Sequence, residues 1–346
     1  MPYRHHGREI VPTIEVYHDL IPHMAGVSMR AFFLDSAACV RAWRDGSARF
    51  NERLGDVCAP RTPSPPPLSY GHLVCLGAPL NVPEDGEPNV APFAGSIDEA
   101  IAQLRDKRDM DFTEHTWFRH YLDLWRVLRE RFPDVNMPFS GFGVQGPITS
   151  AVLMRGQDFL LDLLDEPGKC QTFLQLMADS IVAFVKVTRR INREPDVHSG
   201  GYVADDFASL ISPDHWPEFV IPAINRNYEG LIPPGGFRFL HLENLTPRHL
   251  PLLKSLGLSA FQPSVSPALT LENVKANLDR SIDFDWLLYS YDVTAMSDTA
   301  IQRWVNQAAD AGVSRIRTQV GAYAFQTNKL DRIRAFHEAF KTYKTD

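Results

Sequence analysis

Two short stretches place chemically competent side chains at the ends of apolar runs. In His198-Ser-Gly-Gly-Tyr202-Val-Ala-Asp205-Asp206, the segment Gly201 to Ala204 finishes on two adjacent carboxylates. In Phe237-Arg-Phe-Leu-His241-Leu-Glu243-Asn244, the segment Phe237 to Leu240 finishes on an imidazole with a carboxylate two residues on. Side chains of a strand alternate between faces, so His241 and Glu243 share one face and Leu242 packs behind them. By the same rule only one of Asp205 and Asp206 can join them, and the other is expected to cap the helix that follows. An imidazole and a carboxylate on one face suit a divalent cation such as zinc, iron(II) or manganese. Glu15, near the end of the early run Val11 to Tyr17, is the expected third ligand. Asp205 or Asp206 is then the acid–base group. Tyr70, His72, Gln145, Tyr202 and Gln319 stand near other strand ends or turns and are the expected substrate-binding residues.

Such groups converge only if the strands are parallel neighbours, and the patterning supports this. Val11 to Tyr17, Ser69 to Leu76, Phe139 to Ile148, Gly201 to Ala204, Phe237 to Leu240, Ala260 to Val265, Phe284 to Tyr291 and Arg315 to Gln319 read as strands. Amphipathic helices separate most of them. Asp35 opens one towards Leu54, Ser96-Ile-Asp-Glu99 is a capping box, Thr113 to Phe132 has helical spacing, and Asp165-Glu-Pro167 opens a long helix to Ile191. Roughly eight strands alternating with helices predict a (β/α)₈ barrel spanning residues 11–346, with residues 1–10 a mobile segment in front. The proline-rich Pro60 to Pro67 can only be a loop, and Asn81 to Pro92 is expected on the rim of the site.

Composition excludes several function classes. A formal charge of −7 over 346 residues, with the charges mixed along the chain, offers no basic stripe to nucleic acid or to an anionic membrane. The best match to a nucleotide fingerprint, Gly141-Phe-Gly143-Val-Gln-Gly146, runs into Pro147 where a phosphate-binding helix needs a free N–H, so no nucleotide is expected. The four cysteines form no C-x-x-C pair, which points to reduced, buried thiols. The polar N-terminus and the lack of any run near roughly 18 apolar residues predict a cytoplasmic protein with a small-molecule substrate.

Taken together, Gly146-Pro147-Ile-Thr149, Arg155-Gly156, Asp205-Asp206 with Leu210-Ile-Ser-Pro213, Glu218-Phe219, Pro222, His241 and the closing Gly321 segment resemble the uroporphyrinogen decarboxylase superfamily, which also holds corrinoid- and thiol-linked methyltransferases. The resemblance runs from about Val11 onward. It implies a barrel with its site at the C-terminal ends of the strands, and, for the methyltransferase branch, a corrinoid protein as partner. That branch resembles the chain around His241 but bears H-x-C there and a further C-terminal cysteine, both on zinc. Here Glu243 replaces the cysteine and none follows Cys170. A His–carboxylate site is harder and more Lewis-acidic than a thiolate one, so it favours an oxygen or nitrogen group of the substrate. The leading expectation is metal-dependent methyl or one-carbon transfer on a small polar substrate.

The alternative is a metal-free decarboxylase, in which Asp206 stabilises a cationic substrate. The decarboxylase branch grips carboxylates with an N-terminal R-Q-A-G-R motif. Arg4-His-His-Gly7-Arg8 repeats its spacing, ahead of the first strand.

Overall fold

The structure, a computed structural model, describes residues 3–6 and 8–345. Among the described residues there are ten strands: β1 (Tyr3–His5), β2 (Arg8–Val16), β3 (Leu80–Asn81), β4 (Asn89–Val90), β5 (Gly200–Ala204), β6 (Phe237–Leu242), β7 (Ala260–Pro263), β8 (Asp283–Leu288), β9 (Arg315–Val320) and β10 (Lys344–Thr345). Eight form one sheet in the order β10-β1-β2-β9-β8-β7-β6-β5, while β3 and β4 pair separately. From β2 to β5 every pairing in that sheet is parallel; β1 runs antiparallel to both β2 and β10. Residues expected to precede the fold as a mobile segment therefore supply β1 and the start of β2. Gly7 lies outside the described residues.

The α/β alternation is as the sequence pattern predicts, but two expected strands are not strands. Gly71–Cys75 is a short helix where Ser69 to Leu76 was expected to be extended. The glycine-punctuated stretch from Phe139 keeps a single parallel bridge, Leu68 to Phe142. The sequence itself gives the reason. Pro65, Pro66 and Pro67 lack the N–H a ladder requires, and Gly141 sits at φ 88°, outside the strand region. Gly146 N still donates to Ala204 O at 2.6 Å, so the row of extended segments continues past β5. Among the described residues no ladder joins Leu68 to β2. The sheet is thus a mostly parallel one, open between those segments, instead of a ring of eight paired strands.

Outward side chains of the strands, including Val203, Leu240, Leu242, Phe261, Ile316 and Val320, are buried against the helices. The longest helix, Pro167–Ile191, buries Cys170, Phe173, Met177, Ile181 and Phe184 in that core and packs on Ile221–Leu231. Among the described residues it is the one helix long and apolar enough to cross a membrane by length and composition, where no such run was expected. An Asp179–Arg226 ion pair ties it to its neighbour.

Several helix starts follow the expected chemistry. The Asp35 side chain accepts from Ala37 N and that of Ser96 from Glu99 N. Glu99 reaches back to the Gly95 amide, completing a variant of the expected capping box.

Candidate active site at the strand ends

Inward-facing positions recur every second residue along the parallel strands, and their C-terminal members surround one cavity of about 770 Å³. Tyr202, Ala204 and Asp206 form one inward row; Phe239, His241 and Glu243 form the next. Gln262 and Ser264 follow, then Arg315, Arg317 and Gln319, and Glu15 with Tyr17 complete the circuit. Register locks these rows together, since Ala204 pairs with His241, and His241 with Gln262.

Asp206, His241 and Glu243 meet in this mouth, each offering a ligand atom within 4.8 Å of the others. His241 Nδ1 lies 2.6 Å from Gln262 Oε1. A carbonyl oxygen can only accept, so Nδ1 carries the proton and Nε2 faces the carboxylates, 3.4 Å from Asp206 Oδ1. That Asp206 oxygen is buried and has no hydrogen-bond partner. Burial holds the Asp206 carboxyl above the usual carboxylate range; His241 opposes this and Glu243 adds to it. A histidine oriented through its far nitrogen beside two carboxylates is a set of donors of the kind that divalent metals take. The residues present fit such an ion.

Asp205 has a different task. Its side chain is fully buried on the outward face, where its carboxylate accepts from Ile148 N at 3.1 Å and Thr149 N at 2.6 Å. It closes the N-terminus of helix Pro147–Arg155, which precedes it in the chain; the helix expected to receive this cap was the one that follows. Thr149 Oγ1 accepts in turn from Phe207 N. Gly146 is required at this contact, because a Cβ there would overlap the Asp205 carboxyl. Burial pushes Asp205 up to about 7, against the pull of the Thr149 and Ile148 amides. The stretch from Gly146 to Thr149 with Asp205 is therefore a clamp that fixes where Asp206 stands, and Asp205 does not line the mouth.

Glu15 reaches the mouth but not the cluster. Its Oε2 takes Arg317 Nη1 at 3.2 Å and Gln319 Nε2 at 3.3 Å. Arg317 also gives Nη2 to Asp285 at 2.7 Å, and Arg315 lies 3.4 Å from the same carboxylate. The Arg317 guanidinium draws Glu15 away from the His241–Glu243 cluster it was expected to join, and Asp206 stands there instead.

Among the expected substrate-binding residues, Tyr70, Gln145, Tyr202 and Gln319 line the mouth. Gln145 Oε1 is buried without a partner, and Tyr202 stacks on Phe239 with ring centroids 5.5 Å apart. His72 does not line it. The helical turn of Gly71–Cys75 swings it into the core against Phe112 and Phe184, where Nε2 meets Ser180 Oγ at 2.8 Å. Burial lowers its pKa to about 3. Arg8 is the first residue of β2 and Glu15 the eighth, which separates them by roughly 23 Å along the strand. Arg8 and its hairpin neighbour Arg4 are therefore at the opposite end of the sheet from the mouth.

Sequence reasoning passed over Gln262, Arg317 and Arg61. A polar residue between Phe261 and Pro263, in the strand following His241, was the available signal for the first. The expected rim segment does reach the site, where Glu87 pairs with His18 at 2.8 Å.

No curated protein matches the chain in sequence. Among solved structures it is similar to a methyltransferase from Methanosarcina mazei, with TM-score 0.67 and 14% identity over 96% of this chain and 94% of that one, a likeness of fold. The family model for uroporphyrinogen decarboxylase (URO-D) matches residues 71–282, more than half of the chain and the part that contains the Asp205 clamp, Asp206, His241 and Glu243. On that match the chain belongs to the uroporphyrinogen decarboxylase family.

Proposed function

We propose that the chain is a metal-dependent methyl- or one-carbon-transferring enzyme acting on a small polar substrate in the mouth. The observation that carries this reading is the Asp206–His241–Glu243 cluster, whose buried Asp206 oxygen accepts no hydrogen bond. His241 Nε2, one Glu243 oxygen and one Asp206 oxygen would hold a zinc, iron(II) or manganese ion. Such an ion supplies Lewis acidity and a template for an oxygen or nitrogen group of the substrate. We read the two extended segments at Leu68 and Phe142 as the reduced second and third strands of a (β/α)₈ barrel, which supports a site built from all eight strand ends.

The chain's own residues do the rest. Gln262 keeps the proton of His241 on Nδ1 and leaves Nε2 free to donate its lone pair. The Asp205 clamp and the Phe207 N to Thr149 Oγ1 bond fix the backbone on both sides of Asp206, so its carboxylate is positioned before anything binds. Gln145 Oε1 offers an acceptor to a substrate N–H or O–H, and Tyr202 with Phe239 walls the cluster. A corrinoid protein as methyl carrier is the partner class the family resemblance implies. Purified protein reconstituted with each metal and assayed for methyl transfer from a methylated corrinoid tests the reading. Activity that requires no metal would sink it.

One observation favours decarboxylation as a second reading: a guanidinium, Arg61, lines the same mouth as Asp206, whose carboxyl burial holds above the usual range. Carbon dioxide release from a carboxylated substrate by chelator-treated protein would select this reading over the first.

A further inference from the structure

Three arginines line the mouth, and two are committed. Arg317 is bonded to Glu15 and Asp285, and Arg315 is paired with Asp285. Arg61 differs. Its one hydrogen bond runs from Nη1 to Val16 O at 3.4 Å, and among the described residues no carboxylate lies within ion-pair distance of it. Glu15 and Tyr17 are the acidic groups that act on it, and the Glu15 carboxylate is already taken by Arg317 and Gln319. A guanidinium has five N–H donors, so most of those on Arg61 are unspent.

The backbone that presents Arg61 is stiff. It opens the segment Arg61 to Pro67, which contains Pro63, Pro65, Pro66 and Pro67 with φ fixed in each. Trp43 Nε1 holds Ser64 O at 2.8 Å and Leu68 N reaches Gly141 O, which pins the segment at its middle and its end. Burial pushes the guanidinium below its ordinary range, so keeping it charged and unpaired costs stability that a counter-ion would restore. A preorganised, half-buried fork of donors beside a large cavity fits a planar oxyanion, which it can hold through two parallel bonds.

We infer that Arg61 binds an anionic oxygen group of the substrate, a carboxylate or a phosphate, and thereby turns the rest of the molecule towards Asp206, His241 and Glu243. Only the second half of this statement rests on the proposed function; anion binding by Arg61 stands without a metal. Arg61 is a specificity-determining residue, separate from the metal donors.

The experiment is isothermal titration of chelator-treated protein at low salt with acetate, succinate, citrate and inorganic phosphate, and with succinamide as the uncharged control. Wild type should bind at least one oxyanion and ignore succinamide. Arg61→Gln should weaken that binding by about ten- to a hundredfold, and Arg61→Lys should restore part of it. Unliganded Arg61→Gln should also melt at a higher temperature than wild type, since it removes an uncompensated charge. Equal oxyanion binding by wild type and Arg61→Gln would overturn the inference, as would a wild type that binds none of the four, or a lower melting temperature that marks Arg61 as structural. A parallel zinc titration of the same variants reads the metal cluster alone, so its failure is distinguishable from failure of the anion site.

Discussion

On the β5–β6 side of the mouth, His241 and Asp206 stand 3.4 Å apart, Glu243 is close by, and the Asp206 oxygen that faces His241 accepts no hydrogen bond. On the β8–β9–β2 side, Asp285, Arg317 and Glu15 bind one another at 2.7 and 3.2 Å. Both sides are built from charged residues at inward positions of parallel strands. The difference is the sign of the central residue: a guanidinium among carboxylates neutralises them, while an imidazole with one nitrogen already bonded leaves its carboxylates short of positive charge. On one side every carboxylate is paired with a guanidinium, though Arg317 Nε itself has no partner, and on the other two carboxylates gather round a single imidazole. The lesson is that a cluster of charged, perturbed groups need not mark the chemistry; how the charges are paired separates the two sides.

The sharpest way to break this comparison is to remove the centre of the guanidinium side. Arg317→Met leaves Asp285 buried with Arg315 alone and should cost about 3–5 kcal/mol of stability by chemical denaturation, with zinc stoichiometry unchanged in the folded fraction. A loss of zinc without a loss of stability would reverse the roles of the two sides. Next in size is Asp205→Ala, which orphans the Ile148 and Thr149 amides and should destabilise the fold by about 2–4 kcal/mol. Gln262→Leu sharpens the other side. It should cost about 10–100-fold in metal affinity and leave the melting temperature of the metal-free protein within a few degrees of wild type.

A further effect is one of pH and lies outside both sides. His72 is buried neutral, and its folded pKa near 3 lies below the unfolded value near 6.5. Between those values the unfolded chain binds a proton that the folded chain does not, so stability falls as pH drops from about 6.5 to about 3. His72→Gln should make the pH dependence of unfolding in that window shallower by one proton. An unchanged slope would mean that His72 is charged in the fold.

The period-two rows were legible in the sequence, because strand alternation alone places His241 with Glu243 and separates Asp205 from Asp206. Which carboxylate faced inward was not, since that depends on β5 lying beside the N-terminus of Pro147–Arg155. Glu15 was misplaced for a related reason: its fate was decided by Arg317, some three hundred residues away in the chain and adjacent in the sheet. His72 was misplaced because Ser69 to Leu76 is apolar enough for a strand, while its partner segment, broken by glycines, cannot sustain a ladder. Arg61 sits in a proline-rich stretch that reads only as a connection, and nothing in its composition shows that it opens on the cavity.

The most direct test of the metal donor set is a competitive titration of chelator-treated protein with zinc, iron(II) and manganese against a chromophoric chelator. The expected result is one tight equivalent per chain for at least one of these ions, lost in His241→Ala and Glu243→Ala and retained in Glu15→Gln. Absence of any stoichiometric binding, or equal binding by His241→Ala, would contradict it.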